Sequence, residues 1–280
     1  MNKIKIVTDS TVDLSEEIIK QYDVEVVPLS ITINGQTYVD RVEITPAEFI
    51  KKMKESDELP KSSQPPAGAF LEVYDRLGKE GFRIISIHMT GEMSGTVRSA
   101  ESAAQMTEAN VTVVDSRFIS KALAFQVIEA AELARAGKSV EQILDRLNEV
   151  RQQTRLLVVV DTLENLVKGG RIGKGRAMIG SLLNIKPIAS LDYGVYTPVA
   201  KVRSHSQAVK YLARQFAEDV KGRTIKGVGL LHAEGSELAH KLKSAIYELT
   251  GYNKIDIEET TPIISTHTGV GAVGLMYYFE

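Results

Sequence analysis

Between Ile4 and Gln152 short apolar runs alternate with stretches of helical periodicity, and that alternation restricts the fold more than any other feature of the chain. Ile4-Lys5-Ile6-Val7 reads as a strand, Leu14 to Tyr22 as a helix and Val24 to Leu29 as a second strand. Arg83 to His88 and Val111 to Asp115 are further strands, each running into a helix. Strands joined through helices predict a largely parallel sheet with helices on its faces. Local punctuation agrees. Asn34-Gly35 stands between Ile31-Thr32-Ile33 and Thr37-Tyr38-Val39, a hairpin signal because both residues tolerate positive φ. Thr45-Pro46-Ala47-Glu48 is a capping box with proline at the first helical position, so a helix runs to about Lys54. Pro65-Pro66 opens another, with Phe70, Val73, Tyr74 and Leu77 on one buried face. Ser139 to Gln142 is a second capping box and starts a helix ending near Gln152.

The pattern then changes. Leu156 to Val160 is a buried strand, and Leu163 to Val167 a short helix stopped by Gly169-Gly170. Ile185 to Leu191, the turn Asp192-Tyr193-Gly194 and Val195 to Val202 form a hairpin, antiparallel by necessity. Ser204 to Gln207 caps a helix, and Ile225 to Leu231, Glu237 to Leu249, Ile255 to Glu259 and a segment from Ile263 to Phe279 follow. At ~150 residues per domain, 280 residues make about two domains. The expected fold class is α/β, with an N-terminal mostly parallel domain over 1–153 and a C-terminal α/β domain with antiparallel strands over 154–280. A cleft between two such domains is where a ligand would sit.

Composition removes several function classes. Lys and Arg number 34 against 36 Asp and Glu, so bulk charge favours neither nucleic acid nor an anionic membrane. There is no cysteine, hence no disulfide, thiol catalysis or thiolate-bound metal, as in a reducing compartment. Ile4 to Val7 is too short for a signal-peptide core, and no apolar run approaches the ~18 residues of a membrane span. A soluble, cytoplasmic protein is expected.

Chemistry concentrates after the strands. Thr8-Asp9-Ser10-Thr11, Ser62-Ser63-Gln64-Pro65, Thr90-Gly91-Glu92-Met93-Ser94-Gly95-Thr96, Asp115-Ser116-Arg117 and Ser265-Thr266-His267-Thr268-Gly269 each read as a loop after a strand or before a helix. Hydroxyls and free N–H groups gathered at the carboxyl edge of a sheet make an anion site, although each loop alone also reads as an N-cap. Spacing does not distinguish a carboxylate from a phosphate. Lys168, Arg171, Lys174 and Arg176 share a glycine-rich segment whose backbone could approach a ligand or a partner, or which is simply a solvated loop. Gly269 to Gly274 matches a dinucleotide fingerprint only in form, since no helix–strand unit follows it, and close packing at a turn explains it better. The five histidines, His88, His205, His232, His240 and His267, show no metal-ligand spacing, and His267 is the one favoured for a functional role. A serine hydrolase would need Ser94, His267 and one of Asp9, Asp115 or Asp161, but Gly91 does not stand two residues before Ser94 as a nucleophile elbow requires.

Val7-Thr8-Asp9-Ser10-Thr11, Ser62-Ser63-Gln64-Pro65, Ser94-Gly95-Thr96, Asp115-Ser116, Lys168-Gly169-Gly170-Arg171-Ile172 and Thr266-His267-Thr268-Gly269 occur in that order along essentially the whole chain. Together they resemble the DegV family of bacterial fatty-acid-binding proteins. The resemblance implies two α/β domains with a long-chain fatty acid between them and no other cofactor or metal. It implies a carboxylate site at Ser62, Ser63, Ser94, Gly95, Thr96, His267 and Thr268. It further implies a carrier without turnover of its own, acting with a fatty-acid kinase that makes an acyl phosphate for phospholipid synthesis, and a phospholipid acyltransferase as a further partner. Met178, Ile179, Leu182, Leu183 and Ile188 are candidates for the acyl tunnel, or else plain core. Arg171, Lys174 and Arg203 are candidates for partner docking. Pro66, Val270, Ser120-Lys121-Ala122 and Thr90-Gly91 depart from the family pattern beside the hydroxyls, which bears on chain-length and saturation preference. The alternatives are an esterase or thioesterase using Ser94 and His267, and a phosphometabolite-binding module using the same anion loops.

Overall fold

The computed structural model describes residues 3–178 and 185–280. Its first half contains β1 (Lys3–Asp9), α1 (Glu16–Tyr22), β2 (Glu25–Val27), β3 (Ser30–Ile33), β4 (Gln36–Val39), α2 (Pro46–Glu55), β5 (Lys61–Ser63), α3 (Ala67–Lys79), β6 (Phe82–His88), α4 (Thr96–Met106), β7 (Val111–Asp115), α5 (Ser120–Arg135) and α6 (Val140–Gln153). The second half contains β8 (Thr154–Val159), α7 (Glu164–Lys168), a 3-10 turn (Gly173–Met178), β9 (Lys186–Asp192), β10 (Val195–Val202), α8 (His205–Asp219), β11 (Ile225–His232), α9 (Ser236–Thr250), β12 (Asp256–Glu259), α10 (Pro262–Thr268) and β13 (Val273–Phe279).

Three described sheets organise these elements. The first has the order β2-β1-β6-β7 with every pairing parallel. The second, β4-β3-β5, is antiparallel. The third runs β10-β9-β8-β13-β11-β12 and is antiparallel except between β11 and β12. The mixed α/β class with a parallel first sheet and antiparallel later strands is therefore as expected.

Local signals did what their chemistry dictates. Asn34 and Gly35 have φ of 49° and 78°, the paired positive angles of a two-residue hairpin turn, and Ile33 pairs with Gln36 across it. Both capping boxes form, Thr45 with Glu48 and Ser139 with Gln142.

Period-two alternation decides which cores the third sheet feeds. Leu157 and Val159 of β8, with Val273, Leu275 and Tyr277 of β13, pack with Leu212 and Phe216 of α8 and Leu242 of α9. Leu156 and Met276, facing the other way, join a core shared with Leu123, Phe125 and Val127 of α5. Helix α5 is buried nearly all round, as a helix between two sheets must be. It touches β1 and β6 of the parallel sheet on one side, and β8, β11 and β13 on the other. Glycines on β11 permit the approach: a Cβ on Gly227 would lie 2.8 Å from Phe125 Cε1, and one on Gly229 2.8 Å from Lys121 Cγ. The parallel sheet's remaining face is covered by α3 and α4, through Phe70, Tyr74, Ala100 and Ala103.

Two segments differ from expectation. Ser62 and Ser63 lie in strand β5, not in a loop, with Ser62 opposite Ile31 and Ser63 opposite Ser30. Ser265 to Thr268 lie in helix α10, not at a strand end, because Thr261 occupies the N-cap and Pro262 the first turn. Of the tunnel candidates, Ile179, Leu182 and Leu183 lie outside the described residues. Ile188 faces the α8 and α9 side of its sheet, and Met178 is buried in the shared core.

Candidate functional site

A cavity of about 360 Å³ opens between the third sheet and the carboxyl edge of the first. Its walls are mostly aliphatic, including Leu29, Met89, Ile119, Leu156, Leu231 and Met276. Its polar residues fall into two groups held by different elements.

The first group is built from β5, α10 and the segment after α7. His267 Nε2 and the Ser62 hydroxyl share a hydrogen bond of 2.8 Å. The imidazole is held against the backbone at Gly169, where a Cβ would lie 3.0 Å from His267 Cε1 and collide with Nδ1. Nδ1 itself is buried without a hydrogen-bond partner. Burial, then the nearby Arg171 guanidinium, push the His267 pKa down to about 4, so the ring is neutral near pH 7. Arg171, a candidate for partner docking whose place in the pocket or on the surface the sequence left open, lines the cavity. Its Nε donates to the Met93 carbonyl at 2.9 Å and its Nη1 to the Gly169 carbonyl at 2.6 Å. The turn at Gly170, φ 74°, directs Arg171 inward, and the Arg171 N–H closes it on the Leu166 carbonyl at 2.8 Å.

Ser94, Ser63 and Thr268 also line this cavity, whereas Gly95 and Thr96 stand behind Ser94. Ser94 Oγ and Thr96 Oγ1 are 2.8 Å apart, and the Thr96 N–H donates to Ser94 Oγ at the start of α4. Gly95 is required by packing: a Cβ there would lie 2.7 Å from Gln64 Cδ. That space lets the Gln64 amide reach Ser99 Oγ at 2.8 Å. The Thr268 hydroxyl is spent on the Ile264 carbonyl.

The second polar group was not singled out from the sequence as a unit. Asp13 accepts from the Ser120 hydroxyl, from the Thr260 hydroxyl at 2.9 Å and from the Thr261 N–H at 3.1 Å. Burial pushes its pKa up to about 6 against the lowering effect of those bonds. Thr11, Ser120, Thr260 and His232 present this group to the cavity.

Asp9, one of three candidate acids for a triad, is wholly buried and structural. Burial alone would raise its pKa, but hydrogen bonds from His88, Thr11 and the Met89 N–H outweigh that and hold it below the ordinary value. Asp115 receives the Gly91 and Arg117 N–H groups, and Asp161 pairs with Lys186 and His205. None of the three reaches His267, and Ser94 is bonded to Thr96 rather than to an imidazole. The acid–base–nucleophile chain of a serine hydrolase is not assembled among the described residues.

Outside the cavity, Lys174 pairs with Asp192 at 2.8 Å and Lys168 with Glu164, while Arg203 is exposed beside the N-terminus of α8. The Gly269–Gly274 stretch is the turn from α10 into β13, and a Cβ on Gly271 would lie 2.9 Å from Asp161 Cγ. Among the described residues no cluster of acids and histidines is placed to hold a metal ion, and no helix is long and apolar enough to cross a membrane.

The family model described as "Uncharacterised protein, DegV family" matches residues 3–280. A DegV domain-containing protein of Staphylococcus aureus is 45% identical over 276 residues, covering 99% of each chain. A solved DegV family protein from Thermus thermophilus, described by its fatty acid binding, is 34% identical, covers 99% of this chain and 100% of its own, and has a TM-score of 0.93. DegV of Bacillus subtilis, solved as a fatty acid binding protein, is 33% identical with full coverage of both chains and a TM-score of 0.91.

Proposed function

The chain belongs to the DegV family, and on that premise we propose that it binds a long-chain fatty acid in the cavity between its sheets. Residues 1–153 and 154–280 are the two halves that enclose the ligand. The observation that carries this reading is a cation, Arg171, and a neutral imidazole, His267, set beside Ser62 and Ser94 at one end of a cavity whose walls are mostly aliphatic. A carboxylate entering there would lose its hydration, at a cost of several kcal/mol unless charge and hydrogen bonds replace it. Arg171 Nη2 is uncommitted among the described residues, and the hydroxyls and imidazole supply further donors. Burying roughly a dozen methylenes at ~0.8 kcal/mol each contributes on the order of 10 kcal/mol, less several for lost freedom, so tight retention is attainable.

The carrier has no turnover of its own in this reading. It presents the carboxylate to a separate fatty-acid kinase, which makes an acyl phosphate for phospholipid synthesis in the cytoplasm, and an acyltransferase consumes the product. Exposed Arg203, with Lys174, is the docking surface for such a partner. Mass spectrometry of the purified protein, native and after organic extraction, tests the ligand class. A stoichiometric long-chain fatty acid is expected. A protein that is empty and fails to take up added fatty acid would overturn the reading.

A further inference from the structure

The second polar group lies well along the cavity from the first. Thr260 and Thr261 precede α10 while His267 sits in its last turn, roughly 10 Å away along the helix axis at 1.5 Å per residue. An acyl chain anchored at His267 and Arg171 would therefore meet Thr260, Ser120 and His232 several carbons from its carboxylate. These residues are unsuited to a plain hydrocarbon. The Ser120 and Thr260 protons are both committed to Asp13, so each hydroxyl turns only acceptor lone pairs to the cavity. His232 is 7% exposed, lines the same cavity, and its Nδ1 is buried without a partner. Ser120 is held at φ 60°, a conformation a non-glycine residue adopts only under constraint, with its N–H on the Thr11 carbonyl.

We infer that this is a subsite for a hydroxyl group on the acyl chain, so that the ligand class extends to mid-chain hydroxy fatty acids. The complementarity is specific. A hydroxyl both donates and accepts: its proton meets Thr260 or Ser120 oxygen, and its oxygen meets the His232 ring. A carbonyl cannot donate, and a methylene leaves the imidazole unpaired.

The inference rests on the fatty-acid reading, and calorimetric titration of the full chain separates the two. Stearic acid is compared with hydroxystearic acids carrying the hydroxyl at successive mid-chain carbons. At least one isomer is expected to bind about two- to tenfold tighter than stearic acid, the range that one net hydrogen bond gives. In a cavity lacking partners, the buried hydroxyl would instead weaken binding about tenfold at each position. Parity or loss at all positions overturns the subsite while leaving the fatty-acid reading intact. Failure of stearic acid itself to bind overturns both. His232→Leu leaves the Asp13 network in place and is expected to bring the preference to parity or below. The ratio between ligands is the readout, so a general fall in affinity does not count, and an undiminished ratio refutes the role of His232.

Discussion

Gly169 and Gly170 are adjacent, yet alanine at each should fail for a different reason, and only one should affect the ligand. Gly169 has φ −77° and ψ −10°, ordinary helical angles that alanine adopts freely. Its methyl would lie 2.9 Å from the Asn165 carbonyl and 3.0 Å from His267 Cε1, and would collide with Nδ1. The backbone carbonyl cannot yield, so the imidazole must, which disturbs the hydrogen bond it shares with Ser62. Overpacking of this kind costs about 1–3 kcal/mol of stability, a melting shift of several degrees in a protein of this size. Loss of a charge-assisted hydrogen bond to the ligand, about 1.5–3 kcal/mol, would weaken fatty-acid binding ten- to a hundredfold. At Gly170 a Cβ would meet nothing within 4 Å, but φ is +74°. Gly170→Ala should therefore cost about 1–2 kcal/mol of stability through backbone strain and leave affinity near wild type. Thermal denaturation and calorimetric titration of both variants decide the matter. Gly169→Ala binding as tightly as wild type would refute the placement of His267 against the carboxylate. Equal losses of affinity in both would show that loop stability, not the imidazole's position, governs binding.

Three further outcomes are expected. Arg171→Glu should empty the cavity, whereas Arg203→Glu should keep the lipid and weaken phosphorylation by the proposed kinase partner; bound lipid persisting in Arg171→Glu would remove that arginine from the proposed carboxylate site. Because the His267 pKa is depressed to about 4, the unfolded chain binds its proton first and stability falls as pH drops from about 6.5 to 4, by up to about 3 kcal/mol. His267→Gln should lose that slope, so its melting temperature relative to wild type should rise steadily over this window; a constant difference would refute the linkage. Asp40 behaves oppositely: burial pushes its pKa up to about 7, so its stabilising protonated form is lost as pH rises through that value. Asp40→Asn should gain on wild type between about pH 4 and 8, by up to about 4 kcal/mol, and equal pH profiles would count against a buried, ionising Asp40.

What the sequence made legible was local chemistry. Asn34-Gly35, Thr45-Glu48 and Ser139-Gln142 each act over a few residues, so their hairpin and helix starts could be read directly and were found in place. Ser62, Ser63, Ser94, His267 and Thr268, proposed here to hold the carboxylate, are brought to one cavity. Elements set by distant partners were harder. Lys61-Ser62-Ser63 has no apolar alternation, and becomes a strand only because β3 offers it an edge some thirty residues earlier. In α10, Ile263, Ile264 and Thr266 carry strand propensity, which masks the helix start at Thr261 and Pro262. Arg171 among glycines and cations gives no hint of its direction, which depends on the Gly170 turn and the carbonyls it meets. The Asp13 cluster joins residues more than a hundred positions apart, and no window of sequence contains it.

Strand β13 lies between β8 and β11, at the centre of its sheet, although it follows every other described strand in sequence. During synthesis, β8 and β11 must therefore wait with their facing edges unpaired until residues 273–279 have been made. Met276 and Gly274 of that strand also close the cavity wall. A nascent chain thus has nowhere to hold a lipid while it is still being extended through this region. Unpaired edges beside exposed aliphatic walls make the waiting state the one most open to aggregation, and the vulnerable interval ends with a single insertion.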